Sequence, residues 1–172
     1  SQSCRRWMAT LHAGEIAFNE PLTQAVLGNL KRATELDAGN GSTWHSWARM
    51  HHDIALKTSR HRSSALEAHV ASALDGYLRS ICLQEHLQDV LGFLSLWFAY
   101  GHTPAVEQSG VVKRMLQVNP NVWLRVIPQI IARIYTSQNS SLNDQVCALL
   151  CAIAKTHPQA LLYSLTVTSG VG

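Results

Sequence analysis

No stretch of this chain of 172 residues approaches the roughly 20 consecutive apolar residues that a membrane-spanning helix needs. The most apolar segment, LQDVLGFLSLWFAYGH over residues 87 to 102, is interrupted by Gly92 and Ser95. The next is punctuated by Arg125, Gln129 and Arg133, so the chain reads as soluble, with no transmembrane segment. Charge of one sign is equally scarce. Fourteen basic and 11 acidic residues leave a formal net charge of +3, too small and too dispersed to imply nucleic acid or an anionic membrane as partner. The four cysteines, Cys4, Cys82, Cys147 and Cys151, lie far apart or at helical spacing with no signal peptide ahead of them. That usage favours reduced thiols in a cytoplasmic or nuclear setting. Catalytic signatures are missing as well: there is no Gly-x-Ser-x-Gly, no papain-type cysteine context and no Gly-x-x-x-x-Gly-Lys loop. Alternating strand patterns are absent.

Hydrophobic residues make up 47% of the chain. At this length roughly 70% of the unfolded surface is buried on folding, which is enough for a real core in one domain or part of one. The apolar residues recur at helical intervals. RRWMATLH, residues 5 to 12, reads as the tail of a helix. Pro21 suits a first helical position, and Leu22, Val26, Leu27, Leu30 and Ala33 follow it at threes and fours before the breaker AGNG. A second helix after Ser42 carries Trp44, Trp47, Ala48, His51 and Ile54 and fades into the polar loop KTSRHRSS. Ser64 with Glu67 forms a capping-box pattern opening a third, through Leu66, Val70, Leu74, Tyr77 and Ile81. Gly76 weakens that helix by about 1 kcal/mol relative to alanine.

The stretch from residue 87 places Leu87, Val90, Leu91, Leu94, Trp97 and Phe98 on one face, with Gly101 as a left-handed terminator. Thr103 and Pro104 open a helix expected to end near Val118. Asn119, Pro120 and Asn121 start another, through Trp123, Leu124, Ile127, Ile130 and Ile134; Pro128 bends it or marks a tight turn between two short helices. Ser141 with Asp144 caps a further helix, in which Cys147, Leu150, Cys151 and Ile153 form the apolar stripe, and His157-Pro158 separates it from a last one. The expectation is an all-α chain of about eight helices, joined by connectors of about two to six residues as antiparallel hairpins. A hairpin period of roughly 34–40 residues favours stacking as an α-solenoid of tetratricopeptide- or HEAT-like units. The expected core is Trp44, Trp47, Leu91, Leu94, Trp97, Phe98, Trp123 and Ile127.

Candidate chemistry is sparse. His45, His51, His52 and Asp53 offer metal-ligand types on one helix, but His51 and His52 diverge by about 100° of rotation, so at most one shares a face with His45. No catalytic, cofactor or metal residue is assigned. Lys31 and Arg32, and the loop cations Lys57, Arg60, His61 and Arg62, read as solvated; Lys31 and Arg32 are the candidates for an anion contact.

ATELDAGNGSTWHSWARM, LQDVLGFLSLWFAYGHTPAV, VWLRVIPQIIARI and HPQALLYSLTV, in this order, resemble the late part of the FAT domain of target of rapamycin kinases. The likeness covers residues 19 to 168; residues 1 to 18 then read as the tail of a preceding FAT helix and a connector. Residues 169 to 172 depart from the family's continuation and read as a truncation or linker toward the rapamycin-binding bundle. The family's long polar insertion is short here, between Lys57 and Leu66.

The resemblance implies a helical-repeat scaffold in a large Ser/Thr protein kinase of the phosphatidylinositol-3-kinase-related class. Its partners would be the kinase domain of the same parent chain and the accessory subunits of the complex, in nutrient and growth signalling. No cofactor is expected in this chain; ATP and magnesium are implied for the parent's kinase domain, whose catalytic residues lie outside it. The implied location is cytoplasmic, with nuclear or endomembrane-peripheral placement inside a complex as variants. Some family members hold an inositol polyphosphate through a lysine near the start of the helix opened here by Pro21. This chain has Gln24-Ala25 there, and the site is not carried over. A stand-alone helical-repeat adaptor that binds a partner helix in its groove is the alternative, and metal-dependent hydrolysis by the histidines is a third.

Overall fold

The computed structural model describes residues 20–58, 64–136 and 138–169. The expected helix tail at residues 5 to 12, Cys4, the loop residues Arg60, His61 and Arg62, and the last residues of the chain lie outside that range. Among the described residues every regular element is helical, nine α-helices and one 3-10 segment, with no strand. The all-α, stacked-hairpin architecture expected from the sequence is the one observed.

Helix α1 (Glu20–Leu36) buries Val26, Leu27 and Leu30 against Met50 and Ile54 of α2 (Gly41–Thr58), with Trp47 beside them, forming a small core of its own. Lys31 and Arg32 are exposed on α1, ahead of its last turn. Helix α3 (Ser64–Gln84) packs along α2 in the most extensive interface among the described residues. Gly41 meets Ser80 near one end and His51 meets His69 near the other, so the two helices run antiparallel. Gly76 makes their close approach possible. A Cβ there would stand 2.8 Å from Trp47 Cδ1 and 3.2 Å from the Ala48 Cα, so the glycine that weakens the isolated helix is required by its packing.

Two residues, Glu85 and His86, turn the chain into α4 (Leu87–Tyr100), and Glu85 takes the left-handed conformation (φ 49°) that ends α3. Ser80 against Asp89 and, further from the connection, Tyr77 against Gly92 show that α3 and α4 are again antiparallel. The buried face of α4 is Val90, Phe93, Leu94, Leu96 and Trp97. Leu91 is 44% exposed, which corrects its assignment to the core: the helix is rotated so that Phe93 and Leu96 turn inward in its place. Gly101 is right-handed (φ −58°), not a left-handed terminator, and its N–H donates to Trp97 O at 2.7 Å, continuing the helical pattern by one residue.

The single helix expected from Pro104 to Val118 is two short ones, α5 (Pro104–Gln108) and α6 (Val111–Met115). Gly110 separates them at φ 71°, a left-handed value that glycine adopts without a Cβ penalty. Thr103 stands at the N-cap of α5, yet its side chain makes no capping bond. A 3-10 segment (Pro120–Val126) then leads into α7 (Ile127–Thr136). Pro128 falls in the first turn of α7, where its missing N–H has no helical bond to lose, so it marks a junction of two short helices without kinking one long one.

Helix α8 (Ser140–Thr156) is capped by Asn139, whose side chain accepts from the Leu142 N–H at 3.1 Å; Ser141 instead donates to Glu107 Oε1 at 2.7 Å. Cys147 and Cys151 are both exposed, contrary to the expected apolar stripe, because the inward face of α8 is Leu142, Val146, Leu149 and Ile153. Helix α9 (Pro158–Ser169) closes the described chain, buries Leu161 and leaves Leu162 and Tyr163 exposed.

The main core runs without a break from Ala48 on α2 to Leu161 on α9. At its centre the Phe93 ring lies 6.1 Å from Trp97 and 5.8 Å from Trp123, aromatic contacts that contribute about 0.5–1.5 kcal/mol each beyond their buried area. Of the expected core, Leu94, Trp97, Trp123 and Ile127 are buried, while Trp44, Trp47 and Phe98 are only partly covered. No described helix is long and apolar enough to cross a membrane.

Candidate functional site

Buried polar groups are costly unless hydrogen-bonded, so the places where this core holds them show what fixes helix against helix. Asp89, in the first turn of α4, is fully buried. Its Oδ1 lies 2.5 Å from His45 Nδ1 on α2, and its Oδ2 lies 2.6 Å from the Ser80 hydroxyl on α3. Ser80 Oγ also stands 3.1 Å from the Gly41 carbonyl, and its single proton serves one of these two acceptors at a time. One carboxyl thus ties three helices together. Sequence reasoning missed it because an acidic residue in a first helical turn reads as a macrodipole partner at the surface. Its partner Ser80, nine residues earlier, is equally inconspicuous, a small polar residue whose full burial shows only once the helices are packed.

The remaining histidines of α2 face other neighbours. His51 Nδ1 and His69 Nδ1 are 2.8 Å apart, so one donates and the other accepts. Burial, and then the neighbouring His69, hold the His51 pKa down at about 3. His52 Nδ1 meets the Tyr77 hydroxyl at 2.9 Å, and burial followed by Arg49 lowers the His52 pKa to about 4. Burial raises the Tyr77 phenol well above its ordinary value. His45, His51 and His52 therefore have three separate partners, on α4 and α3. Among the described residues no group of three or more His, Cys, Asp and Glu side chains converges on a common point.

A second polar system joins the far half. Trp97 Nε1 donates to Gln145 Oε1 at 2.8 Å, and Gln145 Nε2 donates to the Gly101 carbonyl at 3.1 Å. Arg133 Nη2 donates to the Phe98 carbonyl at 2.7 Å, with its guanidinium 5.5 Å from the Phe98 ring centre. These contacts satisfy carbonyls at the C-terminal end of α4 that have no partner within the helix, and they set a cation at its negative pole.

The third feature is a surface groove of about 420 Å³ between the start of α2, the outer face of α3 and α6. Trp44 forms one wall: its Nε1 donates to Ala38 O at 2.9 Å and the Arg79 guanidinium sits 4.6 Å over its ring, which is why this tryptophan is half-buried and not in the core. Lys31 and Arg32 do not line the groove.

These are the parts of a rigid helical stack whose polar side chains act as fasteners. Residues 6–95 match the family model described as the FAT domain. The chain belongs to the FAT domain family. Its similarity to target of rapamycin kinases runs nearly from end to end. It is 36% identical over 169 residues, 94% of this chain, to a relative named serine/threonine-protein kinase TOR from Oryza sativa subsp. japonica. It is 35% identical over 170 residues, 95% of the chain, to serine/threonine-protein kinase tor1 of Schizosaccharomyces pombe. With serine/threonine-protein kinase mTor of Drosophila melanogaster it shares 34% identity over 169 residues, 85% of the chain. In each case the chain spans 7% of the relative's length.

Proposed function

We propose that this chain is a non-catalytic scaffold segment of a Ser/Thr protein kinase of the target of rapamycin type. In this reading it clamps the kinase domain of the same parent chain and contacts accessory subunits of the complex, in nutrient and growth signalling. ATP and magnesium would serve the kinase domain and not this segment. The FAT portion would extend over residues 19 to 168, beyond the matched residues 6–95, and the site of action would be cytoplasmic.

The observation that carries the reading is the fastening of the stack. A support must hold its shape under load, and here the helices are joined by a continuous core together with buried hydrogen bonds from Asp89 and Gln145, which fix one arrangement of α2, α3, α4 and α8. Such contacts fix one helix against the next.

The test uses the full-length kinase. Trp97→Ala opens the centre of the core, and two readouts follow: amide hydrogen exchange along α4, and phosphorylation of a protein substrate at saturating ATP. Faster exchange in α4 accompanied by a lower catalytic rate and faster exchange in the kinase domain supports the scaffold. Faster exchange in α4 with an unchanged rate and an unchanged kinase domain sinks it.

A further inference from the structure

We propose that the groove between α2, α3 and α6 is the docking site of a separate protein, whose contacting segment is apolar and carries a carboxylate. This deepens the partner-contact part of the scaffold reading, on which it rests, by naming the surface and the chemistry it takes, and it holds whether or not the segment clamps a kinase domain. The groove's volume of about 420 Å³ lies within the range of roughly 300–1,000 Å³ typical of ligand-sized sites. Its floor is apolar, built from Leu78, Val118 and the exposed Leu83, with the Cys82 thiol beside them. It is an open trough and not an enclosed cavity, a shape suited to a polypeptide segment laying down side chains.

The charge at the rim selects the occupant. Arg79 Nε donates to Asp75 Oδ2 at 3.0 Å, and Arg114 Nη1 reaches Asp75 Oδ1 at 2.9 Å. A single carboxyl therefore faces two guanidinium groups, leaving one positive charge in excess beside an apolar floor. Each guanidinium carries five N–H donors in a fixed fork, more than Asp75 engages. Besides Asp75, Arg114 makes only a long contact among the described residues, from Nη2 to the Ser109 carbonyl at 3.5 Å. A carboxylate on the incoming segment answers both the excess charge and the spare donors with charge-assisted bonds, while its apolar neighbours cover Leu83 and Val118. A basic segment would be repelled at the same rim.

The experiment pans a displayed library of short peptides against the full-length polypeptide that carries this chain, and measures the enriched peptides by fluorescence polarisation. The expected consensus pairs Asp or Glu with Leu, Ile or Phe. Peptide binding slows alkylation of Cys82, and Arg114→Glu weakens it by about tenfold or more, in keeping with loss of a charge-assisted pair. Gln117→Glu, which adds a negative charge at the groove without touching the Asp75 contacts, weakens it in the same direction and serves if Arg114→Glu does not fold. A consensus without an acidic residue overturns the proposal, as does binding indifferent to Arg114→Glu and Gln117→Glu. Cys82 already protected in the unliganded full-length protein overturns it by showing that the chain's own remainder fills the groove. Self-association of that polypeptide abolished by Arg114→Glu overturns it in favour of a second copy.

Discussion

His51 and His69 meet nitrogen to nitrogen, 2.8 Å apart, across the interface of α2 and α3. The pair has room for one proton between its rings, and a second there would set two N–H groups against each other with at least one ring charged inside the core. Burial and the neighbouring ring accordingly hold His51 at about 3 against an ordinary value of 6.5. The unfolded chain then binds more protons than the folded one between those limits, so stability rises with pH across the window and is lost as pH falls below 6.5. Between pH 7 and pH 5 the loss from His51 should be about 2 kcal/mol. His52, lowered to about 4, adds to it in the same direction. Thermal midpoints measured across that range should fall on acidification, and His51→Phe should flatten the dependence; a midpoint unmoved down to pH 5 would contradict the buried pair.

Asp89 should be the most costly polar residue to remove. Asp89→Ala leaves the buried Ser80 hydroxyl without its 2.6 Å neighbour and His45 without its carboxyl, a loss of about 2–4 kcal/mol. A double-mutant cycle with Ser80→Ala in denaturant titrations isolates the coupling, and additivity of the two changes would show that the contact contributes nothing.

Gly76→Ala pits two effects against each other. Helix propensity favours alanine by about 1 kcal/mol, whereas forcing a methyl into a filled interface costs about 1–3 kcal/mol. The backbone of Ala48 stands only 3.2 Å from the new Cβ and cannot rotate away, so packing wins and the protein is destabilised. A raised unfolding midpoint would mean that α2 and α3 lie further apart.

Two residues of α4 that sequence periodicity treats alike should behave differently. Trp97→Ala, at a fully buried ring whose N–H is bonded to Gln145, should cost about 3–5 kcal/mol. Leu91→Ala, at a side chain 44% exposed, should stay below about 1 kcal/mol. Equal losses in chemical denaturation would reverse the rotation assigned to this helix.

Cys147 and Cys151 should react in the folded protein. Both are exposed on α8, so a thiol reagent followed by mass spectrometry should modify the pair at rates close to those of the unfolded chain. Protection of both until unfolding would return them to the core.

The helical character of each segment was legible because it rests on a local property, the recurrence of apolar residues every three to four positions. What escaped is set by distant parts of the chain. The rotation of α4, which exchanges Leu91 for Phe93 and Leu96, follows what Trp123 offers to Phe93 across the interface. Gly110 was passed over because valines on both sides sustain the helical period through it, although the helix breaks there with φ at 71°. The exposure of Cys147 and Cys151 follows from a stripe one step around the helix, through Leu142, Val146, Leu149 and Ile153, that satisfies the same spacing equally well. The groove and the Asp89 fastening bring together residues from three or more helices, and spacing along the chain carries no trace of either.

The amide of Gln145 holds the Trp97 ring with one atom and the Gly101 carbonyl with the other, while Arg133 grips the carbonyl of Phe98. Together with the Phe93–Trp123 contact and the unbroken core, these bonds anchor the last turn of α4, so a twist of the C-terminal helices is carried across to it instead of being taken up as slack.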